Sequence, residues 1–137
     1  MIFVDTGAWV AFVSPDDQYH RIANQWMRDN RQPFVTTDYV VDETLTLLKA
    51  RGEPIRAQEL GALLIDNNLG SFANLYYLVE DDILNAWQVF RTYSDKEWSF
   101  TDCTSKVVIE KLGITHAFAF DQHFRQFGTV AVVPSIP

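Results

Sequence analysis

The sequence predicts an α/β fold: a mostly parallel sheet of four to five short strands, layered between helices. Three observations carry this expectation. Short apolar runs alternate along the chain with longer segments of helical periodicity, and strands joined through helices run parallel and are covered on both faces. Carboxylates stand directly after two of the apolar runs, where a parallel strand hands over to a helix. The 137 residues, 47% hydrophobic and 21% charged, show no repeat, low-complexity stretch or Gly-, Ser- or Pro-rich linker, which predicts one domain over residues 1–137.

The first strand is Ile2-Phe3-Val4, ending at Asp5, and a short helix follows from Gly7 to Val13. Ser14-Pro15-Asp16 turns the chain into a second helix, about Gln18 to Arg31, with Ile22, Trp26 and Met27 at helical spacing. Phe34-Val35-Thr36 reads as a strand; Thr37 or Asp38 then caps a helix to Lys49, stopped by Gly52. Pro54 opens a helix carrying Leu60, Leu63, Leu64 and Ile65, and Leu75 to Val79 is the clearest strand. Glu80-Asp81-Asp82 places negative charge at the start of the next helix, where the helix dipole favours it, and that helix runs to about Tyr93. Ser99 to Leu112 forms a further helix ended by Gly113; Ala117 to Phe120 is a strand, a helical turn spans Phe124 and Phe127, and Val130 to Val133 closes the sheet.

Composition excludes several classes of protein. The single cysteine, Cys103, forms no internal disulfide and no cysteine-based zinc site, which fits a reducing compartment. The apolar start is interrupted by Asp5, no basic residue precedes it, and no run approaches the roughly 20 apolar residues of a membrane span. A soluble, cytoplasmic protein is expected. With 18 acidic and 11 basic residues the formal charge is −7, so binding of nucleic acid through basic phosphate contacts alone is disfavoured.

Four carboxylates are candidate functional groups. Asp5 and Asp121 each follow an apolar strand; either is readable as a helix cap, but the pair at two strand ends points to the carboxyl edge, where parallel sheets bind ligands. Asp102 has capping-box spacing to Ser99 and also opens a helix toward that edge. Glu43 points away from its helix's stripe of Val41, Leu45 and Leu48 and shares a lane with Val40 and Leu47. Asp42 and Asp38 are neighbours able to take its place. Were the four acids to converge, each close pair would repel by about 1–4 kcal/mol. Oxygen-only ligands without a Cys or His cluster select a hard cation, Mg²⁺ or Mn²⁺, whose chemistry suits phosphodiester hydrolysis.

In order along the chain, Ile2-Phe3-Val4-Asp5-Thr6, Glu43, Ser99-Phe100-Thr101-Asp102 and Phe118-Ala119-Phe120-Asp121 resemble the motifs of PIN-domain ribonucleases, and are most similar to those of VapC-like toxins of toxin–antitoxin pairs. The resemblance implies a three-layer α/β/α sandwich and a metal-dependent endoribonuclease site. It makes Asp5, Asp102 and Asp121 the main metal carboxylates, with Glu43 on a metal-bound water or the nucleophile. Thr6 and Thr101 would orient that shell through their hydroxyls. An RNA substrate, a homodimer and a small cognate antitoxin are implied in the same way. Gly7 departs from the family's usual small hydroxyl residue, and Cys103 stands where Ala is common.

Most aromatic residues are expected in the core or a dimer interface, with Trp9, close after Asp5, the best placed near the rim to stack on a base. The three histidines lack ligand spacing; His123, two residues after Asp121, is expected near substrate rather than in catalysis. Arg125, Lys106 and Arg51 are read as solvated charges within reach of RNA phosphate. The competing reading is a PIN-fold docking protein with weak or no nuclease activity. An aspartyl-phosphate chemistry is disfavoured because the first strand ends without an Asp-x-Asp pair.

Overall fold

Ile2–Val4 forms β1, and all three residues are buried because strands lie on both sides of it and helices above and below. A computed structural model describes residues 1–66 and 72–135. The elements that follow are α1 (Thr6–Val13), α2 (His20–Asp29), β2 (Phe34–Thr37), α3 (Asp38–Ala50), α4 (Pro54–Gly61), which loosens into a π turn over Ala62–Asp66, and β3 (Ala73–Tyr76). They continue with α5 (Glu80–Thr92), α6 (Phe100–Lys111), β4 (His116–Phe118), α7 (His123–Gln126) and β5 (Ala131–Val133). The five strands pair in parallel in the order β3-β2-β1-β4-β5, the middle layer of an α/β/α sandwich.

That order contains one reversal. The chain builds outward from β1 to β3, then returns to place β4 against the other side of β1. Ligands of parallel sheets bind beyond the strand ends at such a switch point. Val4 pairs with Phe118, and the Asp5 backbone N–H donates to the Phe118 carbonyl at 3.1 Å, so the continuations of β1 and β4 open side by side.

Several boundaries differ from the expected ones, each for a local reason. β3 stops at Tyr76 rather than Val79 because its partner β2 stops at Thr37, and the Leu78 N–H turns instead to Asp38 Oδ1 at 3.1 Å. β4 covers His116–Phe118 rather than Ala117–Phe120 because β1 has no residue to pair beyond Val4. Asp17 Oδ1 accepts the Tyr19 N–H at 2.9 Å, which holds a turn where the second helix was expected to have begun. Thr37 is the cap of α3, accepting the Val40 N–H at 3.1 Å, while Asp38 is its first residue. Gly52 and Gly113 take φ values of 80° and 66° after α3 and α6, a left-handed conformation that glycine adopts without steric cost.

The core fills both faces of the sheet with Phe3, Val4, Val35, Ala117 and Phe118 against Val10, Val40, Leu48, Val108, Ile109 and Phe124. Trp9 corrects an expectation. It is 0% exposed and donates its indole N–H to Thr36 Oγ1 at 3.2 Å, so it is a core residue and not a stacking platform at the rim. Of the other tryptophans Trp98 is buried, Trp26 half-buried and Trp87 exposed. No helix among the described residues is long and apolar enough to cross a membrane.

Candidate metal centre at the sheet edge

Asp5 continues β1 into the first turn of α1 and is only 3% exposed. It occupies the N-cap position of α1, yet its side chain makes no capping bond, and Oδ1 is buried without a hydrogen-bond partner. An unpaired buried carboxylate oxygen is costly. Burial pushes the Asp5 carboxyl well above the usual range, and the charges of Asp121, Asp102 and Glu43 push it further, offset in part by the Thr6 backbone N–H. The charges of the three other acids thus reach Asp5.

Each of these acids arrives by its own route. Asp102 is in the first turn of α6, where the capping box forms in full: Ser99 Oγ accepts the Asp102 N–H at 3.0 Å and Asp102 Oδ2 accepts the Ser99 N–H at 3.0 Å. Its structural and its site reading thus coexist. Asp121 follows β4 on the more open side, with Oδ1 accepting the His123 backbone N–H at 3.0 Å. Partial burial and the Asp102 charge raise the Asp121 carboxyl, opposed by His123 and by the Phe124 N–H. Glu43 is half-buried on α3, and the hydroxyls of the neighbouring Thr44 and of Thr6 pair at 3.3 Å, holding α3 against the residue after Asp5.

The two threonines neighbour the acids in sequence, Thr6 after Asp5 and Thr101 before Asp102. The buried Thr6 hydroxyl pairs with that of Thr44, whose own proton goes to the Val40 carbonyl at 2.7 Å. At Thr101 it is the backbone carbonyl that is engaged, accepting from Thr104 Oγ1 at 2.6 Å. The residue underweighted from sequence is His123. Its Nδ1 lies 2.8 Å from Asp102 Oδ2, and one ligand atom each from Asp102, Asp121 and His123 fall within 4.8 Å of one another. The Asp121-x-His123 spacing was the available signal, since two residues across a tight turn return a side chain to the same place.

Phe120 and Tyr19 stack beside this edge with centroids 4.5 Å apart, and Tyr39 and Phe100, in the first turns of α3 and α6, lie 6.3 Å apart. Cys103, next to Asp102, is buried, and its thiol is pushed up to about 11 by burial and by the Asp102 charge. It is a packed hydrophobe and not a nucleophile.

The donor set suits a divalent cation. Several carboxylates share one edge, one of them holding a stranded oxygen, and a cation would offset both the repulsion and the missing partner. The PIN-domain family model matches residues 2–130. The chain belongs to the PIN-domain family. Within it, the chain falls among the VapC-like ribonuclease toxins. It is 33% identical over 134 residues to the 23S rRNA-specific endonuclease VapC20 of Mycobacterium tuberculosis, covering 98% of this chain and 99% of that protein. It is 29% identical over 132 residues to a VapC ribonuclease of Archaeoglobus fulgidus, covering 88% of this chain and 77% of that one. The crystal structure of M. tuberculosis VapC20, described as a sarcin-ricin loop cleaving toxin, superimposes with a TM-score of 0.87 at 31% identity over 95% of this chain and 97% of that one. FitAcB from Neisseria gonorrhoeae shares the fold alone, with a TM-score of 0.69 at 14% identity over 96% of each chain.

Proposed function

We propose that this PIN-domain protein is a Mg²⁺- or Mn²⁺-dependent endoribonuclease that hydrolyses RNA phosphodiester bonds as the toxin of a toxin–antitoxin pair. The observation that carries this reading is the stranded oxygen of Asp5, buried without a partner at the switch point of the sheet, where the charges of three other carboxylates reach it. When bound, a divalent cation lowers the pKa of an attacking water and neutralises charge developing on the phosphate.

The chain's own groups divide the remaining work. Asp5, Asp102 and Asp121 hold the cation. Glu43, half-buried on the facing helix, accepts a proton from the nucleophilic water or orients it. Ser99 fixes one Asp102 oxygen through its backbone N–H, so this carboxylate is already oriented before RNA arrives. Thr6 braces Asp5 through its backbone N–H and α3 through its hydroxyl.

The relative that cleaves the sarcin-ricin loop of 23S rRNA makes that loop the first substrate to try. A homodimer in the cytoplasm, silenced by a small antitoxin, completes the proposal. Purified protein is expected to cleave 23S rRNA with Mg²⁺ or Mn²⁺ and to stop on addition of EDTA. Asp5→Asn is expected to lose cleavage while keeping the circular dichroism of the parent. Cleavage by this variant at the parent rate overturns the assignment.

A further inference from the structure

We propose that His123 is itself a metal ligand, so that an imidazole nitrogen joins the Asp102 and Asp121 carboxylates around the cation and the site favours Mn²⁺ over Mg²⁺. The inference rests on the metal-dependent reading above and adds a residue that reading does not use. The ligand atoms of these three residues lie within 4.8 Å of one another. Donors roughly 2.1 Å from one ion lie up to about 4.2 Å apart, so small side-chain rotations bring the three onto one cation. The unpartnered, buried Asp5 Oδ1 is an independent sign that a cation belongs at this edge.

His123 is held in place from two sides. Its backbone N–H is donated to Asp121 Oδ1 at 3.0 Å, and its ring packs against Asp102 with Nδ1 2.8 Å from Oδ2. Nδ1 is thus the ring nitrogen turned to the carboxylates: a cation held there would take the place of the proton shared with Oδ2, and Nδ1 and Oδ2, 2.8 Å apart, would become neighbouring ligands. Imidazole binds metals through either ring nitrogen, and with Nδ1 on the ion the ring proton is carried outward on Nε2. The side chain is 25% exposed, so the ring is anchored and still reachable.

Ion preference follows from ligand chemistry. Mg²⁺ is hard, favours oxygen and gives up water reluctantly, so an imidazole adds little for it. Transition ions gain from a nitrogen donor, and Mn²⁺ is the first of them that carboxylates also suit. A site of carboxylates alone lacks this bias.

The test is pulsed electron paramagnetic resonance of the full chain loaded with Mn²⁺ and no RNA. Nitrogen modulation of directly bound imidazole is expected, changed by ¹⁵N-histidine labelling and absent in His123→Asn. Asparagine keeps a polar side chain beside Asp102 and offers no imidazole nitrogen, so a purely structural histidine would leave the spectrum unmoved. In competition titrations, His123→Asn is expected to weaken Mn²⁺ by about tenfold and leave Mg²⁺ within twofold. Should the variant fold poorly, labelling of the unsubstituted chain still decides, because His20 contacts the Ala11 carbonyl and His116 starts β4 at the opposite edge. Mn²⁺ bound without histidine nitrogen coupling overturns this inference and leaves the metal site standing. No Mn²⁺ binding at all overturns both.

Discussion

Asp102 and Ser99 hold each other reciprocally at the start of α6, two hydrogen bonds of 3.0 Å running in opposite directions between side chain and backbone. The same carboxylate faces Asp5 and contacts His123. One residue therefore closes a helix end and supplies a site ligand, and the two roles are separable by mutation. Ser99→Ala removes the hydroxyl acceptor and leaves the backbone N–H that orients Asp102. It is expected to cost about 1 kcal/mol of stability, read by urea unfolding, with RNA cleavage retained. Loss of cleavage at full stability would show that the serine hydroxyl serves the chemistry directly.

The acidic cluster makes stability depend on pH in a sense opposite to that of most carboxylates. Asp5 and Asp121 are raised in the folded protein, by burial first and by neighbouring charge second. The folded state then binds protons that the unfolded state has released. Their contribution is complete below the unfolded carboxylate value of about 4 and is lost as pH rises through the folded values. In EDTA, the melting temperature is expected to fall over that rise, and Asp5→Asn is expected to flatten the slope. Mn²⁺ at 100 times its Kd is expected to restore about 2.7 kcal/mol near neutral pH. A melting temperature that Mn²⁺ leaves unchanged contradicts the model of a cation offsetting the repulsion.

The order of elements and the placement of Asp5, Asp102 and Asp121 next to element ends were legible because each depends on local pattern: apolar runs ending in Asp, capping spacing, turn residues. Strand ends were less legible. Tyr76 ends β3 because Thr37 ends β2, a property of the partner that nothing in Leu75 to Val79 records. Trp9 was misplaced for a related reason. Proximity to Asp5 in sequence suggested the rim, but one helical turn rotates its ring inward, to a partner 27 residues away on β2. His123 was undervalued because its significance lies in Asp102, which reaches it from another helix.

Trp9 offers a direct check on that correction. Its indole N–H donates to Thr36 Oγ1, which in turn donates to the Val4 carbonyl at 3.1 Å, linking α1 to β2 and β1. Trp9→Phe keeps an aromatic ring but loses the donor and some volume. A cost of about 1–3 kcal/mol is expected, with RNA affinity unchanged in a binding titration at a temperature where the variant is folded. A fall in affinity without a fall in stability would return Trp9 to the substrate surface.

A second polar network away from the acidic cluster behaves in the ordinary direction. Asp82, 1% exposed at the start of α5, accepts from Tyr76 OH at 2.7 Å, from the Val79 N–H at 3.0 Å and from Lys111 Nζ at 3.0 Å. Burial raises its carboxyl, but these donors outweigh burial and hold it below its ordinary value. Its stabilising effect is present above about pH 4 and is lost as pH falls through the folded value. Tyr76→Phe removes one donor to a buried charge, so a loss of about 1.5–3 kcal/mol is expected near pH 7. That loss should shrink in acid, where Asp82 is protonated in both states. A loss that stays constant down to pH 2 would assign the tyrosine's contribution to packing instead.

Cys103 tests the packing beneath the site. The thiol is buried beside Asp102, and both burial and that negative charge oppose the thiolate, setting it at about 11. The reactive form is therefore scarce at pH 8 and shielded from reagent. Native protein is expected to leave an aromatic disulfide reagent unreacted over minutes, and guanidinium is expected to release one equivalent at once. The slow native reaction should follow the rate of local opening at the start of α6, so Ser99→Ala, which loosens that helix end, is expected to speed it. Rapid labelling of the native chain would place the thiol at the surface and contradict the packing of α6 against the sheet.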